Sequence, residues 1–130
     1  MKKLTYSISI LSVLLATLAL GFAAKTAMAE DVAPSYKEDP GVYQLLSENE
    51  DFRVIMATWK PGQRDKWHSH AGPAASYRLT DCTMLAHTPD GKTVSRDGKR
   101  GEVKFNPIIA SHSMENVGTT DCQVLIVEKK

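Results

Sequence analysis

Beyond residue 41 the chain consists of short apolar runs, rich in β-branched and aromatic residues and separated by turn residues, and at residues 75–80 and 103–105 apolar and polar positions alternate. Alternation at period two is typical of strands with one buried face. The predicted strands cover residues 42–46, 53–59, 67–70, 75–80, 83–88, 92–96, 103–105, 111–117 and 122–128. Proline, glycine and aspartate stand between them, and Asp90-Gly91 is a typical hairpin signal. Short strands with turns about every eight to ten residues predict an all-β sandwich or barrel.

The strand at residues 75–80 has a mixed pattern that predicts which side chains point inward. Ala75, Tyr77 and Leu79 alternate with polar residues, so we expect Ala75 and Tyr77 on the buried face. Residues 30–41 are polar, contain two prolines and predict a flexible lead-in to a barrel at residues 42–130. A chain of this length is too short for an aqueous pore, but a small barrel can hold one small ligand in its mouth.

The first 29 residues have the pattern of a secretory signal peptide. Lys2 and Lys3 precede an uncharged stretch at residues 4–24, and Ala27-Met28-Ala29 is a typical cleavage site. We therefore expect a periplasmic or secreted protein with no membrane association after cleavage. The alternative is an uncut membrane anchor, because about 20 apolar residues suffice to span a bilayer.

Charge and cysteine content narrow the class of partner. The chain has 16 Lys and Arg against 15 Asp and Glu, and cleavage after residue 29 would remove three lysines, leaving 13 basic and 15 acidic residues. Nucleic-acid binders carry a basic excess, so no nucleic-acid partner is expected. About 100 remaining residues allow one compact core. The two cysteines would meet an oxidising compartment, where thiols can pair.

Histidine provides the candidate chemistry. His68-Ser69-His70 lies in a predicted strand, so both imidazoles point to the same face. Their ring nitrogens can converge on one ion at about 2.0–2.1 Å. A third histidine from another strand would complete such a site, and the alternative is a pair of solvated surface histidines. His87 is expected to be a partly exposed surface residue.

Two motifs extend this pattern and resemble those of the cupin superfamily. Gly62-x5-His68-x-His70 is similar to the first cupin motif, and Gly101-x5-Pro107-x4-His112-x3-Asn116 is similar to the second. The resemblance covers residues 42–128. It implies a single-domain, cupin-type jelly-roll β-barrel with a divalent transition metal bound by His68, His70 and His112. Imidazole suits iron, manganese, nickel, copper and zinc, so the sequence leaves the identity of the metal open.

The first motif departs from the cupin pattern where a glutamate ligand is usual. Ala74 and Ala75 occupy the two candidate positions, and the alternation of the strand selects Ala75 as the residue that replaces the carboxylate. Asp65 and Glu115 each lie three residues from a histidine, so a regular strand points them away. The expected site is three imidazoles with a net charge near +2, which favours an anionic ligand.

Further site residues follow from the same strands. Tyr77 shares the predicted inward face with Ala75, and Met114 shares a face with His112, so both are pocket candidates. Tyr77 as an ordinary core residue is the alternative. In jelly rolls the strand that bears Tyr77 pairs with the last strand, which predicts a disulfide between Cys82 and Cys122. Free buried thiols are the alternative.

The resemblance leaves several functions open, because cupins carry many activities. Cupins with three-histidine sites include thiol and diketone dioxygenases, which implies an exported dioxygenase-like oxidoreductase acting on a small anionic or chelating substrate. A non-enzymatic module that binds a metal or small ligand is the first alternative. A metal-free isomerase or epimerase, with His68 working beside Tyr77, is the second. A homodimer is compatible with any of them.

Overall fold

The computed structural model describes residues 32–130, so the predicted signal peptide and its cleavage site lie outside the described residues. The described part contains one short helix and nine strands. They are α1 (Ser35–Glu38), β1 (Tyr43–Glu48), β2 (Phe52–Trp59), β3 (His68–His70), β4 (Ala74–Arg78), β5 (Met84–His87), β6 (Thr93–Ser95), β7 (Val103–Asn106), β8 (Ile109–Asn116) and β9 (Cys122–Lys129). Each predicted strand overlaps one of these.

The strands form two antiparallel sheets that face each other. One sheet has the order β1-β2-β9-β4-β7, and the other has the order β3-β8-β5-β6. The prediction of a jelly-roll barrel is therefore confirmed. β2 and β9 make the longest pairing, which runs without interruption from Phe52 opposite Lys129 to Trp59 opposite Cys122. Their alternate residues supply much of the apolar core, including Ile55, Ala57, Trp59, Val124 and Ile126.

One end of the core is closed by a disulfide between Cys82 and Cys122. The pairing of β4 with β9 brings the loop after β4 beside the start of β9, and the two Cα atoms lie 5.0 Å apart. Both cysteines are buried in the apolar core. The disulfide therefore links the loop after β4 to the first residue of β9.

The side chains of β4 that face the interior are the opposite set from the predicted one. Ala74 and Arg78 are buried, whereas Tyr77 is 42% exposed on the outer face, which Ala75 shares with it. The prediction that Ala75 and Tyr77 face inward is wrong. It assumed that the more apolar side of a strand faces the interior, but this barrel encloses a partly polar cavity, and Ser76 on the inner face lines it. The outer face of this sheet is correspondingly apolar around Tyr77.

The segment before the barrel contains structure that the sequence pattern does not predict. Helix α1 occupies part of it and contacts β1 and β3. Pro34 forms a β-bridge with Ser69, whose hydroxyl donates to the Val32 carbonyl at 2.7 Å. The segment that was expected to be a flexible lead-in thus packs against the strand that carries the histidine pair. In residues 32–130 no helix is long and apolar enough to cross a membrane.

The motif glycines occupy backbone conformations that other residues rarely adopt. Gly62 has a φ of 74° and Gly101 a φ of 86°, both in the left-handed region that favours glycine. Ile109 stands where the second motif usually has another glycine. No non-glycine residue of the described chain has a positive φ, so this turn avoids the strain that Ile109 would otherwise bring.

Candidate metal centre

Strand pairing brings the three motif histidines together inside the barrel. His68 and His70 lie two residues apart on β3 and are both buried. His112 on β8 is the register partner of His68, and a bulge follows before His70 pairs with Ile109. The ring centroids are 4.4 Å apart for His68 and His112 and 5.2 Å apart for the other two pairs. One ring nitrogen from each histidine lies within 4.8 Å of the others.

Burial favours the neutral imidazole, the form that binds metals, at two of the three histidines. Burial lowers the pKa of His68, against the opposing effect of Asp65. Burial also lowers the pKa of His112 to about 2, and the neighbouring His68 and His70 act in the same direction. Protonating either ring would place a positive charge beside two further imidazoles in a site with little access to water. His68 and His112 therefore each keep a lone pair at neutral pH.

Hydrogen bonds to Nδ1 determine which nitrogen of each β3 histidine is free. His68 Nδ1 lies 2.8 Å from the Lys66 carbonyl oxygen, and His70 Nδ1 lies 2.9 Å from Glu128 Oε2. Carbonyl and carboxylate oxygens only accept, so both Nδ1 atoms carry the hydrogen. The Nε2 lone pairs of His68 and His70 are left for an ion, an arrangement that is usual for metal-binding histidines.

His112 supplies the third candidate nitrogen of the cluster. Its Nε2 is buried and has no hydrogen-bond partner within residues 32–130. An unpaired polar atom in such a position costs free energy, on the order of 1–3 kcal/mol. A metal ion bound by three Nε2 atoms would satisfy it. The donor set of the cluster therefore fits a transition metal.

Glu128 supports the cluster from β9. It is 1% exposed and lies opposite Ala74 in the pairing of β4 with β9. Besides its bond to His70, its second oxygen accepts from Arg53 Nη1 at 3.3 Å. Sequence reasoning missed this residue, because a glutamate followed by two lysines near the end of the sequence has the pattern of a solvated segment. The signal for it was its position in the inward phase of β9, after Val124 and Ile126.

A second buried support surrounds Asp65. Its Oδ2 accepts from Tyr43 Oη at 2.7 Å and from Trp59 Nε1 at 2.8 Å, and its Oδ1 accepts from the Met114 amide at 2.6 Å. Tyr43 Oη also lies 3.1 Å from His68 Nε2. Burial, followed by the charge of Asp65, raises the pKa of Tyr43 well above its usual value. Tyr43 was not singled out from the sequence, where it is one residue of an ordinary strand.

The other predicted site residues divide between the cavity and the surface. Met114 lines the cavity beside His112. Ala74, and not Ala75, points inward and stands where the motif glutamate would be, so that assignment is corrected by one residue. Tyr77 lies on the outer face and does not line the cavity described here. His87 Nε2 lies 2.8 Å from Glu115 Oε2, outside the three-histidine cluster.

His70 and His112 open into a cavity of about 290 Å³ between the two sheets. Arg78, Arg96 and Lys104 contribute to its wall, and among the described residues no aspartate or glutamate lines it. Lys104 is held by the Asp97 carbonyl and by Glu102, whereas within residues 32–130 the guanidinium of Arg96 has no ion-pair or hydrogen-bond partner. A larger surface depression of about 570 Å³ is lined by Asp81, Glu102 and loop residues and shares no lining residue with this cavity.

Comparison with known proteins identifies the fold. No protein-family model and no curated protein matches the sequence. A cupin domain from Bordetella pertussis Tohama I is similar over 68% of this chain and 92% of its own length, with 25% identity and a TM-score of 0.63. An RmlC-like cupin from Desulfovibrio desulfuricans is 26% identical over 71% of this chain and 86% of its own, with a TM-score of 0.51. An RmlC-like cupin with a double-stranded β-helix fold from Methanocaldococcus jannaschii is 14% identical over 68% of this chain and 78% of its own, with a TM-score of 0.56.

Proposed function

We propose that this chain, which has the cupin fold, binds a divalent transition metal through His68, His70 and His112 and holds a small anionic ligand beside the ion. The observation that carries the proposal is the combination of three clustered imidazoles, two of them kept neutral by burial, with a cavity wall that is basic and, among the described residues, free of carboxylates. Three neutral ligands leave the full charge of a divalent ion uncompensated. An anion in the cavity would balance that charge.

The cavity also indicates the size and orientation of the ligand. Its volume of about 290 Å³ lies at the lower end of small-molecule sites, so we propose a compact organic acid or chelating anion. Arg96 is the proposed anchor for the charged group, because its guanidinium is unpaired in the described chain and can form a bidentate pair with a carboxylate. Ala74 and Met114 supply an apolar wall near the histidines.

For the reaction, we propose a dioxygenase-like oxidoreductase. A bound transition metal would supply Lewis-acid and redox chemistry at coordination positions that the three imidazoles leave open. The role of the protein is then to hold the ion, exclude bulk water with the apolar wall and orient the substrate through Arg96. Among the described residues, the basic cavity wall offers no carboxylate as a general base.

Oxygen consumption tests this proposal. The purified protein is loaded with iron(II), manganese(II), nickel(II) or copper(II) and presented with thiol carboxylates, diketones and phenolic acids. We expect oxygen uptake with a member of this panel and its loss in His112→Ala. Arg96→Gln should retain activity but raise the KM for the substrate, and Arg100→Gln is the matched surface control. Metal and anion binding without any oxygen uptake would instead support the non-enzymatic binding module.

The metal-free isomerase is a weaker candidate. Its proposed partner for His68 was Tyr77, which lies on the outer face of the sheet. Tyr43 contacts His68 instead, but His68 is fully buried and is not among the residues that line the cavity. Turnover that survives complete metal removal by a chelator would support this class and contradict the oxidoreductase.

We also propose that the protein is exported. The pattern of residues 1–29 supports the proposal, and a buried disulfide between Cys82 and Cys122 is compatible with an oxidising compartment. Intact-mass analysis after expression in a bacterial host tests it. We expect a periplasmic product that begins at Glu30, whereas a cytosolic, full-length product would contradict export.

A further inference from the structure

Tyr43 is the one buried phenol that touches the histidine cluster, among the residues that the structure describes. It lies at the start of β1, is 1% exposed and lines the cavity. Its ring packs edge-on against Trp59, with centroids 5.3 Å apart, and tilted against His68, with centroids 4.8 Å apart. The hydroxyl therefore has a fixed position between Asp65 and the histidines.

In the metal-free cluster the hydroxyl of Tyr43 has one hydrogen but two neighbouring acceptor atoms. Tyr43 Oη has one hydrogen and lies 2.7 Å from Asp65 Oδ2, which only accepts. It also lies 3.1 Å from His68 Nε2, which only accepts as well, because the ring hydrogen is on Nδ1 and is donated to the Lys66 carbonyl. With the hydrogen directed to Asp65, the phenol oxygen and His68 Nε2 point lone pairs at each other. A cation that both atoms share would turn this contact into an attraction.

The separation between the two atoms matches that of neighbouring ligands of one ion. Two ligands at about 2.0–2.1 Å from a metal lie roughly 2.9 Å apart at a right angle and roughly 3.3 Å apart at the tetrahedral angle. The observed 3.1 Å lies between these values. We propose that Tyr43 is a fourth protein ligand of the metal, with the phenolic hydrogen held by Asp65. This inference rests on the metal site proposed above.

The pair of Tyr43 and Asp65 also replaces the charge that the first motif lacks. Whether the hydrogen lies on the phenol or on the carboxylate, the two groups together carry one negative charge, and no proton leaves the protein. The centre then has a net charge near +1 instead of +2. Trp59 Nε1 and the Met114 amide hold Asp65 in position at 2.8 and 2.6 Å. The motif carboxylate is thus absent at Ala74, and in this proposal Tyr43 of β1 supplies the fourth ligand.

Iron(III) substitution tests the proposal without an activity assay. A phenolate bound to iron(III) gives a visible charge-transfer band and tyrosinate vibrations in the resonance Raman spectrum. We expect both in the wild-type protein, and we expect Tyr43→Phe to lose them while retaining bound iron. Tyr43→Phe should also weaken cobalt(II) binding roughly tenfold or more in a chelator competition. Tyr77→Phe, which removes a hydroxyl from the outer face, is the matched control and should change neither result.

The possible results distinguish a failure of the Tyr43 ligand from a failure of the three-histidine metal site. If the wild type binds iron through the histidines but shows no tyrosinate signal, Tyr43 is not a ligand and only this inference fails. If the wild type binds no transition metal at all, the proposed function fails with it. The Raman measurement on the wild type keeps the test decisive even if Tyr43→Phe is poorly folded, because the signal does not depend on the variant.

Discussion

Replacing Glu128 by glutamine tests how the second layer of the centre acts. In the wild type, His70 Nδ1 lies 2.9 Å from Glu128 Oε2. Glutamine keeps the shape of the side chain and one oxygen that can accept this hydrogen bond. It removes the negative charge that makes the imidazole a stronger donor to a metal. Carboxylates that hold a ligating histidine typically contribute 10–100-fold to metal affinity. We therefore expect Glu128→Gln to raise the Kd for cobalt(II) or zinc about 10–100-fold, or about 1.4–2.7 kcal/mol.

The same change should have a smaller effect on folding than its burial suggests. Breaking a fully buried ion pair costs about 3–5 kcal/mol when one charge is left alone. Here Arg53 retains Glu48, 3.3 Å from its Nε, and its side chain is 16% exposed. We expect a loss of about 2 kcal/mol in the free energy of unfolding of the metal-free protein, which is typical of one lost charged hydrogen bond. Urea unfolding in the presence of a chelator measures this loss.

The chain offers a matched control for this experiment. Glu115 makes the same kind of contact, 2.8 Å from His87 Nε2, but outside the three-histidine cluster. Glu115→Gln should leave metal affinity unchanged, with a small effect on stability because the pair is partly exposed. A Glu128→Gln protein that binds cobalt(II) within twofold of the wild type would refute the role of Glu128. Equal losses in both variants would refute its specificity.

Three further predictions concern the site and the fold. Ala74→Glu should restore a motif carboxylate, tightening divalent-metal binding and weakening azide binding, whereas Ala75→Glu on the outer face should change neither; a stronger effect of Ala75→Glu in a titration would contradict the corrected strand phase. The Cys82→Ala/Cys122→Ala double variant should lose about 4 kcal/mol in urea unfolding, because the disulfide closes a 40-residue loop, and a loss below about 1 kcal/mol would contradict this estimate. A histidine of the unfolded chain takes up a proton below about pH 6.5, whereas His112 in the folded protein stays neutral down to about pH 2. The contribution of neutral His112 to the free energy of unfolding is therefore full above about pH 6.5 and is lost as the pH falls. The metal-free protein should be about 2 kcal/mol less stable at pH 5 than at pH 7, and an unchanged urea midpoint would contradict it.

The sequence predicts the strands and the histidine cluster well for identifiable reasons. Alternation and turn residues determine where strands begin and end, because these signals are local. His68 and His70 share a face by strand geometry alone. His112 joins them through a motif whose spacing fixes the pairing of β8 with β3. The cluster therefore depends on local pattern and on one recognisable pairing.

The supporting residues could not be predicted in the same way. Glu128 reaches His70, and Tyr43 reaches His68, from strands that are distant in sequence and carry no motif at these positions. The register that brings Glu128 opposite Ala74 is a property of the whole sheet. The phase of β4 failed for a related reason, since a cavity places polar side chains such as Ser76 inside. A local pattern of apolar residues cannot distinguish an apolar core from a partly polar cavity.

Metal binding by the purified protein is the most direct test of the central claim. The wild type, His112→Ala and His87→Ala proteins are freed of metal, and cobalt(II) or zinc is titrated against a chromophoric chelator. We predict one tight equivalent for the wild type, loss of most of that affinity in His112→Ala, and no change in His87→Ala. A wild type that binds no metal, or equal losses in the two variants, would contradict the three-histidine centre.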